Sequence, residues 1–521
     1  MNLEYIKDLI NNKEFELAET KLNEMLADSK DKSIVLFNLA ILYECQSKHD
    51  KAITFYKKII DDNNDNKLSV LSKIEMAKIL RNTNNIEKAL DVFLSVKDNS
   101  FGNIDSDISQ CLHDIVISCQ NLNRDSKFEE TIRLYDKYNN FISEKDLFLK
   151  NVFLNEYELA NKKTILKSKP RSLHVFVTNQ CNLSCIMCEM HKKKRWKIAD
   201  RYIEEICDLF PYLSLLTLQG GEITILPYFK DILSKAKNYK NMRVSIISNF
   251  QFSDDEILDL LVANNISLTV SVDSVHKEKY EQIRKGANFD LLLSNLQKLN
   301  EIRNKKQDIK NFDLHFNCVI MNNNYVELEE FVNFASEYKV REISLSPVKP
   351  FVGDVHKLST ILLPLEQQKI IFELAKKAER KAKDLGIKIN NEILSLHNFS
   401  NNETKIDKEN NIDYKQNTIN VQQNNIKEES KNNPEDKKEL KCHYPWYQMK
   451  IEYNDVEPDC KCKMLGDSLT ETKTLLDIWN GDIMQKYRKV LLMRENENFV
   501  CNKECFLDVN TKEKYKPILS W

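Results

Sequence analysis

Three cysteines stand close together in the chain. Cys181, Cys185 and Cys188 have three and then two residues between them, and they follow directly on the apolar, β-branched run Val175-Phe176-Val177. Thiolates are soft ligands that suit iron and zinc. Three of them in one tight loop can hold a four-iron cluster, and with only three protein ligands one iron stays open to bind something else. A zinc site would ask for a fourth protein ligand, which His191 can supply. Five further cysteines come late in the chain, at Cys442, Cys460, Cys462, Cys501 and Cys505. Thirteen cysteines suit metal binding better than disulfides in a reducing compartment.

Other residues with chemical potential fall between these groups. Gln219-Gly220-Gly221-Glu222 combines two glycines, which let backbone approach a ligand closely, with a carboxylate able to receive an ammonium group. Ser248-Asn249 ends an apolar run, and either contacts a ligand or caps the next helix. Ser271 and Asp273 point to the same side of an extended strand, where they suit a hydroxyl-rich ligand such as ribose. Arg284 closes the stretch His276-x-x-x-Tyr280-x-x-x-Arg284 and can grip a carboxylate with two parallel bonds.

The cysteine loop resembles the signature of the radical S-adenosylmethionine (radical SAM) enzymes, with Met187 where that family usually has an aromatic residue. The resemblance implies a 4Fe–4S cluster on Cys181, Cys185 and Cys188, whose open iron chelates S-adenosylmethionine. One electron then splits the nucleotide into methionine and a 5′-deoxyadenosyl radical, which takes a hydrogen atom from the substrate. It further implies that Gly220, Gly221 and Glu222 bind the amino end of S-adenosylmethionine. Ser248, Asn249, Ser271, Asp273 and Arg284 are then contacts to its adenosyl and carboxylate groups. An electron donor such as flavodoxin or ferredoxin is implied as a partner.

These residues need elements to position them. From Ser172 onward, apolar strands at 172–178, 213–219, 242–248, 266–273, 312–320 and 341–346 alternate with amphipathic helices at 199–209, 254–264, 289–304 and 325–338. Such alternation predicts a parallel sheet with helices outside it. Six units match the partial (β/α)6 TIM-type barrel that the resemblance implies, and the candidate residues fall at the C-terminal ends of strands, where barrels of this kind gather their chemistry. His315, Asn317, Ser344 and Ser346 could face the interior. Cys207 and Cys318 are isolated and read as core.

Residues 1–160 are charged and helical in period. Ala18, Ala52 and Ala89 recur there, each followed four residues later by Leu22, Tyr56 or Phe93, with a weaker copy at Thr131 and Tyr135. The pattern resembles tetratricopeptide repeats, an α-solenoid whose groove takes a peptide or protein segment. Ordinary helix-bundle core is the other reading. Cys45, Cys111 and Cys119 read as buried packing residues.

The domain reading is therefore repeats at 1–160, a core barrel at 168–397, a disordered polar insertion at 398–438 and a small iron–sulfur domain at 439–521. The last resembles a SPASM or twitch-type domain through Cys442-His-Tyr-Pro-Trp446, the hairpin 449–456 leading to Cys460 and Cys462, Ile478-Trp479-Asn480, and the pair Cys501 and Cys505. One auxiliary 4Fe–4S cluster is implied, on Cys442, Cys460, Cys501 and Cys505 with Cys462 as the ambiguous fifth; zinc is the alternative. Trp446 and Trp479 read as core anchors.

A net charge of −2 offers no electrostatic case for nucleic acid or an anionic membrane. No long apolar run or signal peptide is evident, so a cytoplasmic location is expected. The resulting reading is a radical SAM enzyme acting on a peptide or protein by oxidation, crosslinking or epimerisation. A sugar or small metabolite is the alternative substrate, and a non-catalytic scaffold with structural metal is the alternative class.

Overall fold

The computed structural model describes residues 3–28, 32–62, 67–98, 104–188, 190–263, 265–306, 309, 311–348, 363, 367–394, 444–452, 455–457, 467–468 and 472–493. The chain divides into two compact units, Met1–Asn161 and Lys162–Trp521.

The first unit is helical: α1 (Leu3–Asn11), α2 (Phe15–Asp28), α3 (Lys32–Cys45), α4 (His49–Asp62), α5 (Lys67–Asn82), α6 (Ile86–Ser95), α7 (Asp105–Arg124), α8 (Phe128–Tyr138) and α9 (Leu147–Ala160). Each helix packs against the next along the chain, an order consistent with tetratricopeptide-like stacking. Ala18, Ala52, Ala89 and Thr131 have no exposed surface, and neither do Leu22, Tyr56 and Phe93. Tyr135 is half-buried, stacked on Tyr157 at 4.1 Å and edge-on to Phe153 at 4.9 Å.

The repeat goes deeper than side-chain size. Lys13, Ser47, Asn84 and Ser126 all have positive φ, between 58° and 64°, and each stands five residues before the small residue of its repeat. After each, the next amide closes the preceding helix with a six-residue bond: Glu14 N to Leu9 O (2.9 Å), Lys48 N to Tyr43 O (2.8 Å), Asn85 N to Leu80 O (2.8 Å) and Lys127 N to Leu122 O (2.7 Å). This is Schellman closure with a side chain where glycine is usual. Cys111 and Cys119 are buried as expected, whereas Cys45 is exposed. Two residues past the buried Tyr43, Cys45 has rotated to the opposite face of α3.

The second unit is built on one sheet: β1 (Ser172–Phe176), β2 (Leu215–Gln219), β3 (Arg243–Ser248), β4 (Ile266–Ser271), β5 (Asp313–Ile320), β6 (Glu342–Pro347), β7 (Lys388–Asn391), β8 (Gln448–Glu452), β9 (Asp455–Glu457) and β10 (Asp467–Ser468). The strand order is β10-β9-β8-β1-β2-β3-β4-β5-β6-β7. From β8 to β7 all neighbours are parallel, and β9 and β10 are antiparallel additions. The connecting helices are α10 (Asp200–Asp208), α11 (Phe229–Ala236), α12 (Asp255–Leu261), α13 (Lys277–Ile283), α14 (Phe289–Lys305), α15 (Leu328–Glu337) and α16 (Gln368–Asp384). Short α17 (Tyr444–Tyr447) precedes β8, and α18 (Leu475–Trp479) and α19 (Asp482–Met493) follow β10.

The six expected strands form the middle of a partial TIM-like barrel. Two parallel strands extend it: β7 beside β6, and β8 beside β1 in the register Ser172↔Gln448 to Val175↔Ile451. The late hairpin is present, yet its first strand completes the edge of the core sheet. Sequence period cannot show such a pairing, because its partner lies far away along the chain. Cys442, Cys460, Cys462, Cys501 and Cys505 lie outside the described residues, as does the 398–438 insertion. No helix among the described residues is long and apolar enough to cross a membrane.

Two buried cations hold this unit together. Arg488 has no exposed surface and donates to Pro445 O (2.8 Å), Thr164 O (2.8 Å) and Trp479 O (2.9 Å). Its guanidinium lies 4.5 Å from the centre of the Trp479 ring. Trp446 and Trp479 are buried and donate their indole N–H to Lys163 O and Ser168 O. Under the sheet, Asp313 at the start of β5 pairs with Arg243 of β3 and with Arg341. Burial pushes the Asp313 carboxyl up, but bonds from Arg341 and Arg243 outweigh it and hold the pKa below the usual carboxylate value.

Asp313→Ala removes the carboxylate that pairs with the buried Arg243, and should cost about 3–5 kcal/mol near neutral pH. Because the folded pKa lies below the unfolded one, Asp313's contribution is complete above about pH 4 and is lost as pH falls through the folded value. Urea unfolding at pH 7 and pH 3 checks both points: the gap between wild type and variant should be wide at the first and narrower at the second. In the first unit, Ala52→Leu should cost about 1–3 kcal/mol by overpacking the helix crossing, read from thermal denaturation.

Candidate cofactor-binding site

The cysteine loop leaves the end of β1 under close control by backbone. Val177 N donates to Gln219 O (2.9 Å), Gly221 N to Thr178 O (2.8 Å) and Glu222 N to Gln180 O (2.8 Å). A Cβ on Gly220 would lie 2.3 Å from Thr178 O, and one on Gly221 would lie 2.2 Å from Gln180 O. The glycines are thus required for the two loops of this chain to touch, with the contact ending one residue before Cys181. Across the loop, Ser184 N donates to Lys285 O and Ile186 N to Ile283 O, both at 2.9 Å. Those bonds bracket Cys185 on one segment and Arg284 on the other.

Around Cys181 the polar groups form a chain. Leu183 N lies 3.3 Å and Asn249 Nδ2 3.6 Å from Cys181 Sγ. The Asn249 amide also donates to Asn182 Oδ1 (2.8 Å), and Asn182 donates in turn to Gln251 O (2.8 Å). Asn249 is held from below, its backbone N–H donating to Glu222 Oε2 at 2.6 Å. Glu222 Oε1 accepts from Ser248 Oγ (2.9 Å), Thr224 Oγ1 (2.8 Å) and Thr224 N (3.1 Å). Glu222 is buried, and burial raises its pKa against the opposing effect of these donors. The carboxylate therefore fastens the end of β2 to the end of β3. Ser248 and Asn249 do not cap the next helix; Asp254 does, accepting from Glu256 N.

Around Cys185 lies a buried ion pair. Arg284 Nη2 is 2.8 Å from Asp273 Oδ2, both side chains being almost fully enclosed, and Arg284 Nη1 is 4.0 Å from Cys185 Sγ. Asp273 Oδ1 accepts from Val319 N (2.8 Å). Burial raises the Asp273 pKa, with Arg284 opposing. Burial disfavours the charge on Arg284, but Asp273 and Cys185 more than offset that and its pKa rises. Arg284 Nε is a buried donor with no partner among the described residues. Burial also pushes the Cys181 and Cys185 thiols up, Cys185 to about 11, while N–H donors from Leu183 and Asn249 favour the Cys181 thiolate and Arg284 favours that of Cys185.

Ser271 ends β4 opposite Asn317 of β5, and no bond joins it to either group among the described residues. His315, Asn317, Ser344 and Ser346 are half-buried. On the same alternation, His174 bonds Gln219 and stacks on Phe176 at 5.2 Å, with Lys450 of β8 5.4 Å from the Phe176 ring. Sequence reasoning missed Asn182, Thr224, Gln251 and Lys450. For Asn182 a signal existed, a carboxamide directly beside a cysteine; for Lys450 none did, since its place depends on β8 joining β1.

The donor set fits an iron–sulfur cluster: three thiols on one backbone-braced loop, two N–H donors on one of them, a buried cation by another and an unmet guanidinium N–H. Among the described residues, no three His, Cys, Asp or Glu side chains are grouped to hold a single metal ion. The family model described as Radical SAM superfamily matches residues 175–335. This chain carries a radical SAM domain. The match spans every candidate residue from Cys181 to Arg284, and makes the protein an S-adenosylmethionine-dependent iron–sulfur enzyme. The chain is similar to the GTP 3′,8-cyclase of Clostridium botulinum strain Hall, 25% identical over 240 residues, covering 41% of this chain and 72% of that one. The GTP 3′,8-cyclase of Synechocystis is 26% identical over 198 residues, or 36% of this chain and 58% of that one. Among solved structures, SuiB of Streptococcus suis bound to S-adenosylmethionine aligns at 15% identity with a TM-score of 0.45, over 69% of this chain and 78% of that one.

Gly221→Ala forces backbone apart just before Cys181. After anaerobic reconstitution, its iron and sulfide content at the radical SAM loop should drop to that of Cys181→Ala, while circular dichroism stays close to wild type. Asn249→Leu removes the amide donor but not the loop, and should weaken cluster retention by roughly 10–100-fold against a chelator.

Proposed function

We propose that this radical SAM enzyme abstracts hydrogen from a peptide or protein substrate bound on the inner face of the barrel. In this reading Cys181, Cys185 and Cys188 hold the cluster, which supplies one electron to S-adenosylmethionine and so yields the adenosyl radical. Asn249 and Leu183 N–H steady the Cys181 thiolate. Arg284, positioned by Asp273, offers its unmet Nε–H to the nucleotide's carboxylate, and Ser271 faces its ribose. Glu222 keeps Ser248 and Asn249 in register with the cysteine loop. The observation that carries the reading is the cysteine loop itself, locked by backbone to both the Gly-Gly turn and the Arg284 segment.

Support for a peptide substrate comes from the first unit, whose stacked helices make the kind of groove that takes an extended segment, and from the resemblance of the late cysteines to an auxiliary-cluster domain. A second reading, a nucleotide or other small metabolite, is favoured by the GTP 3′,8-cyclase relatives. The half-buried His174, Gln219 and Lys450 suit either substrate. Anaerobically reconstituted protein given S-adenosylmethionine and dithionite should form 5′-deoxyadenosine, and Cys185→Ala should form none; equal yields from the two would sink the enzyme reading. Liquid chromatography with mass spectrometry, on reactions run in D2O, then separates the substrates, since a candidate peptide should change in mass or retention while GTP stays unchanged in both.

A further inference from the structure

Strand alternation gives β2 to β6 two faces. On one, Leu216, Ile246, Leu268, Phe316 and Leu345 have no exposed surface, and Phe316 packs on Phe331 and Phe334 of α15. The opposite face lines the inside of the partial barrel. It carries Thr217, Ser245, Thr269, His315, Asn317 and Ser344, all half-buried. Register sets Thr217 beside Ser245, Thr269 beside His315 and Asn317 beside Ser344. Charge on these strands is already answered. Asp313 pairs with Arg243 and Arg341, Glu342 with Lys388 at 2.9 Å, and Asp273 beyond β4 with Arg284. Lys450 stands apart, on the β8–β1 flank next to Phe176. The six residues between the ion pairs are uncharged, since burial lowers the His315 pKa and leaves its ring neutral near pH 7. His315 Nε2 is buried without a partner among the described residues, and the other five side chains make no hydrogen bond there either. Polar groups of this kind on an outer face would need no explanation. Here they line the inside of a barrel, and four of them are serine or threonine, short enough to leave room in front.

We propose that this wall takes the substrate residue that the adenosyl radical attacks, and that this residue carries an uncharged hydrogen-bonding side chain, a hydroxyl or a carboxamide. The proposal rests on the peptide reading above and names the kind of residue within it. An aliphatic or aromatic side chain placed here strips water from hydroxyl, carboxamide and imidazole groups and returns nothing, the costly outcome for a polar group. A hydroxyl or carboxamide returns donors and acceptors to the same groups. Sites built in this way discriminate strongly against an isostere that lacks the polar atom. A charged side chain finds no counter-ion on the wall, because the ionised groups at its ends are engaged with one another. Asn317 lies opposite Ser271 in register, so the wall reaches the end of the barrel at which the cysteine loop stands.

The test uses the reconstituted full chain, dithionite, S-adenosylmethionine and four probes of one frame, acetyl-Gly-Gly-Xaa-Gly-Gly-amide. Xaa is threonine or its isostere valine, asparagine or its isostere leucine, each deuterated on carbon, so shape is held while polarity changes. Deuterium should pass into 5′-deoxyadenosine at least tenfold faster from threonine than from valine, and from asparagine than from leucine. The double variant Thr269→Val with Asn317→Leu should bring both ratios close to one, with iron content and circular dichroism matching wild type. Ser344→Ala, which removes a single oxygen, should lower the ratios in the same direction. Equal or faster transfer from valine and leucine overturns the proposal, and so do ratios that neither variant changes. Formation of 5′-deoxyadenosine with no deuterium from any peptide also overturns it, as does transfer from perdeuterated glucose in place of the peptides. No 5′-deoxyadenosine at all from wild type removes the radical SAM reading, and this proposal with it.

Discussion

Where Gly220 and Gly221 pass Thr178 and Gln180, two backbones lie too close for any Cβ to fit between them. The rest of the site depends on that approach. It sets the height at which the chain leaves β1, and hence where the first thiol begins. Glu222 comes next in the chain and carries the same register sideways to β3 through Ser248 and Asn249. From the far side, the bonds of Ser184 and Ile186 to the 283–285 segment close the loop against Arg284. Main-chain hydrogen bonds position the thiols on both sides, so the loop's shape does not wait for a ligand.

The same region encloses an unusual density of charge. Glu222, Asp273, Arg284 and Glu327 are all almost fully enclosed, and an enclosed charge is costly unless its partners are close and well aimed. Asp273 answers Arg284 and the Val319 amide, and Glu327 accepts from Ser274 Oγ at 2.6 Å behind them. Such networks resist rearrangement because removing one member strands the others. The arginine beside Cys185 is therefore a fixed cation, unlike the solvated lysines outside.

Much of this was legible in the chain. The cysteine spacing, the apolar strands and the small residues of the helical repeat are local patterns, and local patterns survive in a linear reading. Gly220 and Gly221 were recognisable as a close approach, but the closeness proved to be toward Thr178 and Gln180. Glu222 read as a ligand carboxylate, and its bonds in the structure go to Ser248, Thr224 and the Asn249 amide. What stayed hidden was non-local: β8 pairing with β1, Lys450 arriving beside Phe176, Arg488 reaching Pro445 and Thr164. Nothing near Arg488 in sequence announces a buried guanidinium, because its acceptors are main-chain carbonyls contributed by distant segments. Cys45 went astray for a simpler reason, a small error of phase at the end of a helix.

The pairing of β1 with β8 has a consequence for how the protein is made. One edge of β1 waits for a strand that the ribosome delivers more than 270 residues later, on the order of tens of seconds at ordinary synthesis rates. Throughout that interval an apolar strand presents an open ladder of amides and carbonyls, the kind of edge that recruits neighbouring chains. Nascent copies of this enzyme, more than finished ones, are where a chaperone has something to cover.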